Sequence, residues 1–184
     1  MGSIALETVD AQAENELIAQ HTALIAADSW PRRPLLIPAV DAESGEPVVW
    51  DAAAGVPLVR AVAASSAFPG IEPPVTVDGR RYLDGALRAG TNTDLAADAR
   101  TMVVVDPLAH GHPHPTADGA QILAPDPAAV RLLDAEQSDP EAWEATYQAG
   151  RAQAGAAACS STARTAASRA ITCAAFRTGA SADQ

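Results

Sequence analysis

The sequence predicts an α/β fold, and three observations support that prediction. The run from Arg60 to Ala96 contains a helix end, a proline-rich turn, a tight hairpin and a strand that stops at Asp84-Gly85. Short runs rich in valine and isoleucine occur between segments of helical periodicity. Hydrophobic residues make up 48% of the 184 residues, which is typical of a globular protein of one domain.

The N-terminal part of the chain predicts one helix followed by a β-hairpin. Residues 10–27 have apolar side chains at near-helical spacing, and Pro31 prevents the helix from continuing. The run Leu35–Val40 predicts a strand that is buried on both faces, because its apolar residues do not alternate with polar ones. Turn residues at 41–45 then lead to Pro47–Trp50, which we expect to pair back as the second strand of the hairpin.

The middle of the chain predicts a short helix and a second hairpin. Leu58–Ala64 has the apolar spacing of a helix, and Phe68-Pro69-Gly70 should end it. Val75–Val77 and Arg81–Leu83 flank the dipeptide Asp78-Gly79, which is the strongest short-range signal for a two-residue hairpin turn.

The remaining elements are predicted from shorter patterns. Thr91 or Asn92 can act as the N-cap of a helix that continues to Ala97. Further strands and helices are expected at Met102–Val105, Ile122–Leu123, Ala128–Leu133 and Pro140–Ala154. Residues 156–184 are rich in alanine, serine and threonine and have few side chains to bury, so we expect a frayed helix or a disordered tail there.

Charge and hydropathy exclude several classes of function. The net charge is −11, which disfavours binding to phosphate backbones, so no nucleic-acid partner is expected. There is no apolar run of 18 residues that could span a bilayer, and the acidic N-terminus does not resemble a signal peptide. We therefore expect a cytoplasmic protein that makes at most transient contact with a membrane surface.

One block of sequence resembles a known family. Residues 64–85 read A-S-x-A-x-P-G, then P-P-V, then D-G-x-x-Y-x-D-G. This block is similar to the C-terminal half of patatin-like phospholipases, which are serine acyl hydrolases with bacterial members. The segment WPRRPLLIPAVDAESGEPVVWDAAAGVPLV upstream and QILAPDPAAVRLLD downstream also fit. The resemblance covers residues 1–155 and is strongest over 30–107, so we expect a partial patatin-like domain at 1–155.

The resemblance implies a fold and a mechanism. The family fold is a three-layer α/β/α sandwich on a mostly parallel sheet, to which this chain adds the two β-hairpins. The chemistry uses a Ser-Asp dyad without histidine and without a cofactor, and the substrate is a lipid or a small ester. The motif Asp84-Gly85-Ala86 matches the family's Asp-Gly-Gly or Asp-Gly-Ala motif, so the resemblance implies that Asp84 is the dyad carboxylate and general base. Gly85 should let the chain turn sharply without a Cβ clash.

The sequence also departs from the family pattern. No G-x-S-x-G nucleophile motif occurs, because Ser3 lacks a second glycine and Ser65-Ser66 lie in the helix-turn block. A glycine-rich oxyanion loop is missing too, and residues 106–120 look shortened. We therefore expect a truncated chain, without the N-terminal strands and the nucleophile elbow, that has no measurable hydrolytic activity alone.

Several residues have a simpler structural interpretation beside the functional one. Without the surrounding block, Asp84 would be a turn carboxylate that caps backbone N–H groups. Asn92 either caps a helix or supports the Asp84 turn by a hydrogen bond. His110, His112 and His114 alternate and are weak candidates for a metal site, but a solvated loop explains them more simply.

Two functions from different classes follow. The first is a lipid acyl hydrolase by descent, which carries only the dyad aspartate and is inactive alone. The second is a non-catalytic interaction fragment, because strands such as LLIPAV and MVVVD would present an unpaired edge and a bare face if central strands were missing. Such a fragment would bind a complementary chain or a second copy of itself.

Overall fold

The computed structural model describes residues 11–27, 29–111, 119–133, 140–162 and 170–173. Helices and strands both occur in these residues, so the fold is mixed α/β and agrees with the class predicted from the sequence. The chain divides into two compact units, of which the first extends to Asn92 and the second begins at Thr93.

The first unit combines helices with two hairpins. Its helices are α1 (Ala11–Ile25), α2 (Leu58–Ser66) and α3 (Ala86–Ala89). Its strands are β1 (Ile37–Asp41), β2 (Pro47–Trp50), β3 (Val75–Val77) and β4 (Arg80–Asp84). Both predicted hairpins are confirmed, whereas the sequence patterns did not predict α3.

The strands of the first unit form one antiparallel sheet in the order β2-β1-β4-β3. Strands β1 and β4 come from different hairpins, and their register places Ala39 opposite Asp84. The turn between β3 and β4 has positive φ at Asp78 (50°) and Gly79 (77°), a conformation that an Asp-Gly pair adopts readily. The mostly parallel sheet that the resemblance implies is therefore not found in this unit.

Strand β1 differs from the sequence-based expectation in two ways. The prediction of a strand over Leu35–Val40 buried on both faces is wrong, because β1 begins at Ile37, ends at Asp41 and alternates between buried and half-buried residues. A strand alternates in this way when one face of its sheet is covered more completely than the other. The expected unpaired edge is also wrong, because β1 lies between β2 and β4.

The core of the first unit contains residues from the sheet and from both longer helices. Three alanines of α2, at positions 61, 63 and 64, are fully buried. Because alanine projects only a methyl group, α2 can approach the sheet closely. Leu17 of α1 and Trp50 of β2 belong to the same apolar cluster.

The outer edge of the sheet at β3 is capped by side chains. The carboxylate of Glu14 on α1 accepts hydrogen bonds from the backbone N (2.8 Å) and Oγ1 (2.9 Å) of Thr76. Arg60 of α2 donates from Nη1 to the carbonyl oxygen of Thr76 (2.9 Å) and lies 3.5 Å from Glu14 Oε1. Both polar backbone groups of Thr76 are thus satisfied without a neighbouring strand, which protects this edge from pairing with another chain.

The turn between β1 and β2 is organised by Asp41. Its Oδ1 accepts from the backbone N of Glu43 (3.0 Å) and of Ser44 (2.8 Å), and from the Ser44 hydroxyl (3.0 Å). Its Oδ2 accepts from Nε of Arg80 at 2.6 Å. The Arg80 hydrogen bond, helped by these donors and opposed by burial, holds the pKa of Asp41 well below its ordinary value of 3.8.

The second unit contains a parallel sheet. Its strands are β5 (Met102–Val105), β6 (Gln121–Leu123) and β7 (Ala170–Cys173). Its helices are α4 (Pro127–Leu133), α5 (Pro140–Thr162) and a 3₁₀-helix at Thr93–Ala96. The order is β6-β5-β7, and β5 runs parallel to both neighbours. The expected unpaired edge at Met102–Val105 is therefore wrong, because β5 is an interior strand.

The C-terminal elements extend further than the sequence patterns indicate. The helix predicted over Pro140–Ala154 continues to Thr162. Strand β7 lies inside the 156–184 segment, for which the composition indicates a frayed helix or disorder. The domain boundary at 155 stays a prediction, and the shortened loop at 106–120 lies partly outside the described residues. Among the described helices, none is long and apolar enough to cross a bilayer.

We predict that Asp41→Asn lowers the free energy of unfolding by about 1 kcal/mol at neutral pH, because the amide is a weaker acceptor for the turn and for Arg80. Since the folded-state pKa of Asp41 lies below its ordinary value, the stabilisation is complete above pH 3.8 and is lost as the pH falls below it. Urea unfolding followed by tryptophan fluorescence should show the difference between wild type and variant shrinking on acidification.

The control for this prediction is Asp51→Asn. Asp51 is exposed, and its carboxylate accepts the backbone N–H of Ala53 at 2.9 Å. At neutral pH this variant should lose less stability than Asp41→Asn. A difference between wild type and Asp41→Asn that stays constant from about pH 7 to about pH 3 would contradict the role assigned to the charge.

Candidate active site

Asp84 lies at the end of β4, in the interior of the antiparallel sheet. It is 3% exposed, so its carboxylate is almost completely withdrawn from water. Its backbone N donates to the carbonyl oxygen of Ala67 at 3.0 Å, just beyond the end of α2. The end of helix α2 and the end of strand β4 are thus joined directly, and this contact fixes the backbone position of Asp84.

Gly85 is required by packing rather than by backbone conformation. Its φ of −65° is accessible to any residue. A Cβ at this position, however, would meet the carbonyl group of Pro38 on β1, with the carbonyl carbon only 2.7 Å away. The backbone N of Gly85 also donates to the carbonyl oxygen of Ser65 at 3.2 Å. The turn at Gly85 therefore needs a residue without a Cβ because β1 lies directly against it.

The carboxylate of Asp84 is held by the turn that follows it. Its Oδ1 accepts a hydrogen bond from the backbone N of Ala86 at 2.7 Å, a short distance typical of a charged acceptor. Every fully buried polar side-chain atom of the described residues has a hydrogen-bond partner, so the site contains no orphaned polar group among them. A buried carboxylate that has one oxygen held by a backbone amide is suited to accept a proton from a hydroxyl group placed against it.

Asn92 supports the same turn. Its side chain is 5% exposed, and Nδ2 donates to the carbonyl oxygens of Gly85 and Gly90, both at 3.0 Å. Its Oδ1 accepts from Nη1 of Arg88 at 3.0 Å. Of the two roles left open by the sequence, the supporting hydrogen bond to the Asp84 turn is the one observed. Asn92 has a φ of 52°, a conformation that asparagine adopts more readily than most other residues. The signal in the sequence is therefore the asparagine itself, two residues after Gly90.

The serines of the helix-turn block have structural contacts. Ser66 donates from its hydroxyl to the carbonyl oxygen of Val62 at 2.9 Å, a bond within α2. Ser65 accepts the backbone N–H of Gly85 through its carbonyl oxygen. Neither serine lies on the strand-to-helix elbow that presents a nucleophile in serine hydrolases of this kind.

The histidine loop is described only in part. His110 is exposed, whereas His112 and His114 lie outside the described residues. Among the described residues, no group of three or more His, Cys, Asp or Glu side chains is placed to hold a metal ion. The weak metal candidates therefore stay a prediction.

The comparison with family models decides the family. The model described as patatin-like phospholipase matches residues 5–97, which include the whole Asp84 turn and Asn92. The chain belongs to the patatin-like phospholipase family. A search of the curated proteins found no match.

The extent of the match agrees with the architecture. It ends five residues after Asn92, where the first compact unit ends, so the antiparallel sheet and its helices are the family-like part. Patatin-like phospholipases are lipid acyl hydrolases, so membership connects the chain to lipid ester chemistry. The resemblance expected from residue 98 to 155 lies outside the match and stays a prediction.

We predict that Gly85→Ala destabilises the first unit strongly. The added methyl group would overlap the Pro38 carbonyl of β1, and neither backbone can move without breaking the β1–β4 pairing. We expect a loss of about 3 kcal/mol or failure to fold, measured by thermal and urea unfolding.

The control for Gly85→Ala is Gly111→Ala. A Cβ built at Gly111 finds no atom within 4 Å, so this variant should be as stable as the wild type. If Gly85→Ala were equally well tolerated, the close packing of the turn against β1 would be refuted.

Proposed function

We propose that Asp84 is the carboxylate of a Ser-Asp dyad and that this chain is the acid-base half of a lipid acyl hydrolase. The main support is the geometry of Asp84, which is a buried aspartate at a strand end, oriented by a backbone amide and followed by a glycine that has no room for a side chain. Family membership supports the same reaction class.

The proposed reaction has two stages. In the first, Asp84 accepts the proton of a serine hydroxyl as the serine oxygen attacks the ester carbonyl, and it then gives the proton to the departing alcohol. In the second, Asp84 accepts a proton from water, the water oxygen attacks the acyl-serine, and the proton returns to the serine. The products are a free fatty acid and an alcohol, and no cofactor takes part.

The serine of this dyad has to come from another segment. No G-x-S-x-G occurs in the 184 residues, and no glycine-rich loop supplies oxyanion donors. We therefore propose that the described residues carry part of the three-layer α/β/α sandwich and work with a further segment that holds the nucleophile, either on a complementary chain or elsewhere in the protein. The cytoplasmic location, with transient contact at a lipid surface, belongs to the same proposal.

The structure does not support the main observation behind the alternative, a non-catalytic interaction fragment. That alternative rested on unpaired edges at LLIPAV and MVVVD, but β1 and β5 are interior strands of their sheets. The outward backbone groups of Thr76 on edge strand β3 are satisfied by Glu14 and Arg60. The described structure therefore gives self-association through these strands no particular support.

We predict that the purified chain does not hydrolyse p-nitrophenyl esters above background. Loss of the nucleophile in a serine hydrolase reduces kcat by about a millionfold, and missing oxyanion donors reduce it further. A fluorophosphonate probe should label no serine of the chain. Turnover that Asp84→Asn abolishes would contradict this prediction, since it would show a complete site within these residues.

A complementation assay tests the role of Asp84 directly. The chain is co-expressed with a polypeptide that carries the glycine-rich loop and G-x-S-x-G elbow of a patatin-like phospholipase. We expect ester hydrolysis in the complex and a loss of roughly a hundred- to ten-thousandfold in kcat with Asp84→Asn.

The control for complementation is Asp78→Asn. Asp78 also precedes a glycine, but it lies at the exposed tip of the β3–β4 hairpin, where asparagine suits the positive φ of 50°. This variant should keep full activity. Equal activity of the Asp84→Asn and wild-type complexes would rule out Asp84 as the general base.

A further inference from the structure

The peptide group between Gly85 and Ala86 connects two side chains. Its N–H donates to Oδ1 of Asp84 at 2.7 Å. Its carbonyl oxygen accepts from Nδ2 of Asn92 at 3.0 Å and from the backbone N of Arg88 at 3.2 Å. Asp84 and Asn92 therefore bind opposite ends of a single peptide unit.

A peptide unit transmits orientation because it is planar. In a trans peptide the C=O and N–H bonds point in opposite directions within one plane, and the described backbone has no cis peptide bond. The plane can rotate only as a whole, about the bonds to its two flanking Cα atoms. A donor that holds the Gly85 oxygen therefore also fixes the direction of the Ala86 N–H.

We propose that Asn92 is a positioning residue that orients the Asp84 carboxylate through the Gly85–Ala86 peptide. This inference rests on the proposed function of Asp84 and adds to it a residue that does not touch substrate. Asn92 acts on the general base by keeping the Ala86 N–H directed at Oδ1, so that the carboxylate is oriented before a serine hydroxyl reaches it.

The Asn92 side chain is itself fixed at both ends of its amide. Arg88 donates to Oδ1, and Nδ2 donates to Gly90 as well as to Gly85. The residue is 5% exposed, so water does not compete effectively for these bonds. An amide held in this way keeps each of its hydrogen bonds in a fixed direction, which a flexible surface side chain would not do.

A purely conformational role for Asn92 makes a different prediction. The residue has φ of 52°, in the left-handed region that asparagine tolerates and that glycine adopts freely. If Asn92 served only to allow that turn, glycine would replace it without consequence for Ala86. Asn92→Gly thus keeps the backbone conformation and removes the donor.

The experiment uses the full ¹⁵N-labelled chain and follows the Ala86 amide by NMR. Asn92→Gly and Asn92→Asp both remove the donor to Gly85, and aspartate also keeps an acceptor for Arg88. The control is Val77→Ala, which loosens the buried β3 strand without touching the turn. The measurements are the hydrogen-exchange rate and the proton chemical shift of Ala86.

We expect exchange at Ala86 to accelerate about tenfold in both Asn92 variants, together with an upfield proton shift as the short bond to Asp84 is lost. Val77→Ala should leave the Ala86 shift unchanged, since general loosening does not alter that bond. An Ala86 amide that is unchanged in folded Asn92→Gly overturns the proposal.

A second measurement applies if the Asn92 variants do not fold. Asp84→Asn removes the charged acceptor, so the Ala86 N–H and the Asn92 side-chain N–H₂ resonances should shift together relative to the unaltered chain. If the Ala86 resonance moves while the Asn92 amide does not, the peptide does not couple them and the proposal fails.

These readouts are independent of the proposed function. None of them requires a serine or a substrate, so they test positioning alone. A complementation assay in which Asp84→Asn has no effect would contradict the catalytic role of Asp84 but would not affect the coupling between Asn92 and Ala86. If the NMR measurements show no coupling between Asn92 and Ala86 while ester hydrolysis in the complex still depends on Asp84, only the role proposed for Asn92 is contradicted.

Discussion

The close approach of Gly85 to the Pro38 carbonyl of β1 is the constraint on which the Asp84 site depends. It brings the end of β4 against β1 at the point where the N–H groups of Asp84 and Gly85 also bond to carbonyls at the end of α2. A strand, a neighbouring strand and a helix end thus meet at one peptide unit. A Cβ at Gly85 has no room between these elements, and the neighbouring Asp84 is buried.

Two buried aspartates, Asp41 and Asp84, lie at the ends of strands of this sheet, and different groups bind their carboxylates. Asp41 is bound by an arginine, two backbone amides and a hydroxyl, which lower its pKa and make it a weak base. Its donors close the β1–β2 turn, so its charge is used to stabilise the fold. Asp84 accepts the backbone N–H of Ala86, in a turn that Asn92 stabilises by a hydrogen bond to the Gly85 carbonyl oxygen, and this arrangement agrees with the role that we propose for Asp84.

The features predicted correctly from the sequence are those encoded by neighbouring residues. The hairpin at Asp78-Gly79 follows from two residues that accept positive φ, and the two longer helices of the first unit follow from apolar spacing. The alternating burial of β1 depends on which face distant helices cover. The contact between Asn92 and Gly85 depends on a short helix, Ala86–Ala89, too brief to leave a periodic pattern. Only the folded chain brings such groups together.

Burial of Asp84 also limits which group can react with it. Asp84 is 3% exposed, so in the mechanism that we propose its partner serine lies on a segment packed against it, where it is already oriented toward the carboxylate. The family places that hydroxyl on a strand-to-helix elbow, and the chain shows no such motif. Asp84 and its supporting turn lie within the first unit, and the reaction that we propose needs in addition a serine from a segment that packs against them.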